Sequence, residues 1–171
     1  MTRLYKLSNN SPVQVAGGKL ANENMIHNWI AERPEMLGLD LLIIGREVVA
    51  PDRGRIDLLG IDDEGNLAIL ELKRDRTPRD VIAQALDYAS WVTTLSTREV
   101  HDIALRYLKK DLEVAFRERF DIALPETLNE SHTIVIIASR FDSSSQRIVR
   151  YLSETYDIGI KTAFFSVFND D

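Results

Sequence analysis

Two apolar segments, Ile56–Ile61 and Leu67–Lys73, are separated only by Asp62-Asp63-Glu64-Gly65-Asn66. Five residues of that composition are turn chemistry, so the segments pair as the two strands of an antiparallel hairpin. With Ile61 facing Leu67, side chains alternate along each strand. Leu59, Ile61, Leu67 and Ile69 fall on one face, and Ile56, Leu58, Ala68, Leu70 and Leu72 on the other. Strands apolar on both faces are central strands covered from two sides. In a chain of 171 residues, long enough for one domain with a proper core, this requires a layered α/β arrangement.

The flanking segments supply the layers. Around Asn22–Arg33, Ile26, Trp29 and Ile30 recur at helical spacing, with Pro34 near the end. Leu41–Ala50 is apolar and β-branched enough for a strand, closed by Pro51-Asp52. Residues 1–19 read as a strand or arm. Thr77-Pro78 opens a helix with the stripe Val81, Ile82, Ala85, Leu86, Ala89 and Val92. Ser96 and Glu99 fit a capping box for a helix running to about Phe120. Thr133–Ala138 is a buried strand, Ser143–Tyr156 a helix and Ile158–Phe168 a last strand. The expected order is helix, three strands, two helices, then β-α-β, in a single domain over residues 1–171. An apolar strand directly before Asp171 reads as one domain cut from a longer protein.

The same hairpin count places Asp57 opposite Glu71, with Cβ atoms roughly 4.5–5.5 Å apart, and Lys73 on the face of Glu71. Two like charges at the end of a buried strand pair are unfavourable. Either a divalent cation bridges them or Lys73 neutralises one. Oxygen-only ligands suit Mg²⁺ or Mn²⁺. A one-residue slip of the turn would turn Asp57 to the other face. Glu23 shares the stripe of Ile26 and Ile30 that should face the sheet, where it points to a metal site; a Glu at a helix start is also favoured by the helix dipole. Gln84 and Tyr88 lie four apart on one helix face. They read as a core-edge tyrosine with a polar neighbour, or as a polar pair near the site that positions phosphate or Lys73.

Composition excludes other chemistries. There is no cysteine, so disulfides and cysteine-bound metals are ruled out. His27, His101 and His132 stand apart without ligand-like spacing. No apolar run approaches a bilayer span, and the N-terminus lacks a signal-peptide stretch, which makes cytoplasmic the default location. A net charge of −6 argues against coating nucleic acid by bulk electrostatics. The basic residues are uneven, however. Arg46, Arg53 and Arg55 precede the hairpin acids, and Lys73, Arg74, Arg76 and Arg79 follow them. They form either a solvated surface or a local patch for DNA.

Asp57, thirteen residues and then Glu71-Leu72-Lys73 resembles the D-x(n)-E-x-K signature of the PD-(D/E)XK nuclease superfamily. Gly54–Lys73 followed by Gln84–Trp91 is similar to the catalytic domain of NucS-type and RecB-like endonucleases, closely over about residues 20–95. The resemblance implies a restriction-endonuclease-like αβββαβ core, a mixed central sheet flanked by helices. It implies a Mg²⁺- or Mn²⁺-dependent endodeoxyribonuclease. Glu23, Asp57 and Glu71 would be the metal-site acids, with the Leu72 carbonyl as a further donor. Lys73 would stand near the attacking water, and Gln84 and Tyr88 would be the accessory pair. Arg55, Arg74 and Arg76 are the expected phosphate clamps. Expected partners are DNA, with single-stranded, branched and mismatched forms all open, and a second copy in a homodimer. No separate N-terminal DNA-binding domain of the NucS kind is visible, so substrate choice does not carry over. Pro51-Asp52 offers a rival first acid; Asp57 is preferred because it follows Gly-Arg-Ile and faces Glu71. The rivals to an enzyme are a binding module that keeps the fold without turnover, and an interaction domain whose charges form a structural ion-pair cluster.

Overall fold

The computed structural model describes residues 4–8, 11–18, 22–51, 54–77 and 80–169, with backbone alone for 74–77. Its centre is a five-stranded mixed sheet of β4 (Leu42–Val49), β5 (Arg55–Ile61), β6 (Leu67–Thr77), β7 (His132–Phe141) and β8 (Ile160–Phe164), in that spatial order. β4, β5 and β6 are antiparallel neighbours; β6, β7 and β8 run parallel. The hairpin turn forms because Asp62 accepts the amide N–H groups of Glu64 and Asn66 at 3.1 and 2.8 Å, and Gly65 takes φ +84°. Ile61 faces Leu67 and Leu58 faces Leu70, the register expected from the sequence.

The sheet is covered on both sides. α1 (Glu23–Glu32) lays Ile26 and Ile30 on Leu58, Leu70, Leu72 and Ile137. Asn22 caps it, accepting the Met25 N–H at 3.1 Å. The other face carries α2 (Asp80–Val92), α3 (Thr97–Leu108), α4 (Leu112–Phe120) and α5 (Ser143–Tyr156) around Leu59, Ile61, Ile69 and Ile136. β1 (Tyr5–Ser8) and β2 (Ser11–Gln14) form a hairpin, and β3 (Ala16–Gly17) pairs with β9 (Phe168–Asn169). No helix among the described residues is long and apolar enough to cross a membrane.

Several expectations need correction. The helix from Ser96 does not run to Phe120. Its capping box is present, but Lys109 turns left-handed at φ +58° and ends α3, and α4 begins after Asp111. Thr77 closes β6 rather than opening a helix, and the Pro78 start lies outside the described residues. The last strand divides into β8 and β9. Trp29 is exposed; the inward positions of α1 are Ile26, His27 and Ile30. Ile56 packs with Leu59 on the α2 side, whereas Leu58 packs toward α1. Strict alternation is therefore lost around Asp57.

Candidate active site

Glu71 occupies the central strand, backbone-paired with Ile136 of β7, and its side chain is 0% exposed. Neither carboxylate oxygen has a hydrogen-bond partner. Burial pushes its pKa up to about 8, with the nearby Asp57 charge pushing the same way. The Lys73 ammonium opposes this from 3.7 Å. The Asp57 backbone N–H, directed at the carboxylate, also opposes it.

Asp57 stands where the hairpin opens. The β5–β6 ladder ends at Leu58–Leu70, one step short of the expected Asp57–Glu71 pair. The Asp57 carboxylate fills the opening by accepting the Leu72 N–H at 2.7 Å. Burial raises the Asp57 pKa; the Leu72 hydrogen bond and the charges of His27 and Lys73 counteract this, while Glu23 adds to it. Asp57 thus senses both Lys73 on β6 and the inward face of α1.

That face contributes a residue the sequence reading passed over. Glu23, Ile26, His27 and Ile30 follow the i, i+3, i+4, i+7 pattern of a buried stripe. His27 is 7% exposed, and both ring nitrogens lack a hydrogen-bond partner. An orphaned buried imidazole is costly. Its spacing of four from Glu23, not its distance from His101 or His132, is the sequence signal for this position.

Tyr88 of α2 is buried, and its hydroxyl accepts the Gln84 side-chain amide at 2.7 Å and the Arg55 N–H at 2.9 Å. The pair therefore meets the start of β5. The Arg55 guanidinium points outward and pairs with Glu47 at 3.2 Å. Arg46, also exposed, donates to Asn28 at 2.6 Å. The side chains of Arg74 and Arg76, and the whole of Asp52, Arg53 and Arg79, lie outside the described residues. An open groove of about 620 Å³ lies elsewhere, between β4 and α3, lined by Arg46, Trp91, Arg106 and Tyr107 among others, and includes neither Asp57 nor Glu71.

The donor set fits a hard divalent cation. Glu71 offers two buried carboxylate oxygens without hydrogen-bond partners, one of them paired with Lys73 at 3.7 Å, and Asp57 stands beside it. Among the described residues no three His, Asp or Glu groups are close enough to cage an ion. The remaining positions would fall to backbone carbonyl or water, as is usual for Mg²⁺.

Known proteins share this fold. The fold matches a repair endonuclease from Pyrococcus abyssi with a TM-score of 0.52 at 18% identity, covering 88% of this chain and 49% of that one. It matches EndoMS in complex with double-stranded DNA with a TM-score of 0.51 at 18% identity, covering 95% and 65%. The apo form of EndoMS gives 0.51 and 18%, covering 96% and 65%. The chain thus spans about half to two thirds of the length of these structures. The family model described as the endonuclease NucS C-terminal domain matches residues 22–109, just over half of the 171, from the cap of α1 to the end of α3. The chain belongs to the endonuclease NucS C-terminal domain family.

Proposed function

We propose that this domain is a Mg²⁺- or Mn²⁺-dependent nuclease that hydrolyses phosphodiester bonds in DNA. The observation that carries the reading is Glu71, a fully buried carboxylate with both oxygens unsatisfied, beside Asp57 and 3.7 Å from Lys73. A structural ion-pair cluster would satisfy its buried acceptors within the protein. Here Lys73 pairs with Glu71 only at 3.7 Å, and neither carboxylate oxygen accepts a hydrogen bond at the parting of the two strands. Family membership and the double-stranded DNA bound to EndoMS support DNA as the substrate class.

Asp57, Glu71 and the Leu72 carbonyl would hold the cation, with Glu23 and His27 on the α1 side of Asp57. When bound, it supplies charge relief at phosphorus and a more acidic water. The chain's own groups do the rest. The Leu72 N–H fixes one Asp57 oxygen, so the carboxylate presents the other. Lys73, partly exposed beside Glu71, would orient the attacking water or stabilise the charge developing on the phosphate. Arg55, Arg74 and Arg76 are the phosphate contacts of this reading, Arg55 after exchanging its Glu47 partner.

The test is incubation of the protein with single-stranded, duplex, flapped and mismatched DNA and with RNA, each with Mg²⁺, Mn²⁺ or EDTA. Cation-dependent cleavage of at least one DNA form is expected. Binding without cleavage of any of them would favour a nucleic-acid-binding module.

A further inference from the structure

We infer that Tyr88, seated on Gly54 and held by Gln84, is a positioning residue for Asp57: it fixes the end of β5 at which the strand parts from β6. This rests on the reading of Asp57 as a site acid.

The need for an anchor follows from the ladders. β5 still pairs with β4 at Val49–Arg55 and Val48–Ile56, but its pairing with β6 stops at Leu58–Leu70. Residues 55–57 therefore have no ladder partner on β6, where Asp57 must be held at a defined spacing from Glu71. Two bonds replace the missing ladder. One is the Leu72 N–H to the Asp57 carboxylate, 2.7 Å. The other is the Arg55 N–H to the Tyr88 hydroxyl, 2.9 Å. Arg55 lies two residues before Asp57, roughly 7 Å along an extended strand. Displacement of this end is transmitted to the carboxylate, and misplacement by about 1 Å is enough to disable a site.

The seat for the ring is built into the sequence. A Cβ on Gly54 would stand 2.5 Å from Cε1 and 2.8 Å from the hydroxyl oxygen of Tyr88. Only glycine lets the backbone come this close to the ring. The hydroxyl is 2.7 Å from the Gln84 side-chain amide one helical turn earlier, which keeps it aimed at β5. A tyrosine serving only as core filling would need neither the glycine nor the amide.

The test compares the wild type with Tyr88→Phe, Gln84→Ala and Gly54→Ala, and with Ser90→Ala, an exposed position of α2, as control. The readouts are amide hydrogen exchange at Arg55, Leu72 and Ile136 by NMR, and Mg²⁺ affinity by calorimetry. Tyr88→Phe keeps the ring and removes the hydroxyl. Faster exchange at Arg55 is expected from any loss of that bond. The proposal requires more: about tenfold faster exchange at Leu72 as well, with Ile136 unchanged, and about tenfold weaker Mg²⁺ binding. Gly54→Ala should reproduce this, and Gln84→Ala, at a half-exposed position, should do so more weakly without endangering the fold. Change at Arg55 alone, with Leu72 protection as in wild type, would overturn the proposal. Failure of the wild type to bind Mg²⁺ would instead count against the metal-site reading, and Leu72 exchange would still decide the role of Tyr88.

Discussion

The Leu72 N–H donates to the Asp57 carboxylate at 2.7 Å across the mouth of the hairpin, so a side chain closes the ladder where the backbone stops. This bond makes Asp57→Asn an informative change. The amide oxygen keeps the acceptor for Leu72, while the charge facing Glu71 is removed. Without metal, the variant should melt at or above the wild-type temperature. Calorimetry should show that its Mg²⁺ or Mn²⁺ affinity has fallen by at least about tenfold. Equal affinity in the two proteins would remove Asp57 from the site.

Glu71 makes the metal-free protein pH-sensitive. Its carboxyl has an ordinary pKa of 4.5 and is pushed up to about 8 in the fold. Between those values the folded state holds a proton that the unfolded state has released, so stability falls as pH rises through the window. The raised Asp57 pKa acts in the same direction, starting from lower pH. The Glu71 contribution is on the order of 5 kcal/mol at the upper end. Denaturant unfolding in EDTA should therefore find Glu71→Gln increasingly more stable than wild type from pH 5 to pH 8. Parallel pH profiles would mean that Glu71 is not held neutral. Cation uptake must displace the same proton, so Mg²⁺ affinity should rise with pH and level off above about 8.

His27 separates structural from site roles cleanly. Its two ring nitrogens are buried without partners, so His27→Leu removes an unfavourable burial and should not lower the melting temperature. If the imidazole serves the site beside Asp57, the same change weakens Mg²⁺ binding by about tenfold. Unaltered metal affinity would make His27 a packing residue.

Lys73→Met should lower the cleavage rate by about 10²–10³ while metal and DNA binding persist. Single-turnover kinetics with saturating Mn²⁺ measure this directly. A near-wild-type rate would take Lys73 out of the chemistry.

Most of the fold was legible because local and global signals agree. Turn residues 62–66 and apolarity on both strand faces set the hairpin register, Asn22 marks the start of α1, and Ser96 with Glu99 marks the start of α3. The break at Lys109 was not legible, because a lysine in the left-handed region lacks the Gly or Pro that usually signals a helix end. In α1 hydropathy favours burying the Trp29 indole, but helical geometry turns the His27 imidazole inward instead. The opposition of Asp57 and Glu71 was expected from counting pairs. The strand parting at Asp57 was not, because it depends on contacts from α1, α2 and the Leu72 amide that are remote in sequence.

Metal-dependent phosphodiester hydrolysis is proposed to occur at the Asp57–Glu71 pair. The most direct test is single-turnover cleavage of labelled DNA by wild type, Asp57→Asn and Glu71→Gln, each with Mn²⁺, with EDTA, and with Mn²⁺ restored after EDTA, alongside DNA binding by the same preparations. Wild type should cleave, stop with EDTA and resume with Mn²⁺, and neither variant should cleave despite retained DNA binding. Cleavage by the variants at the wild-type rate, or wild-type cleavage indifferent to EDTA, would contradict the proposal.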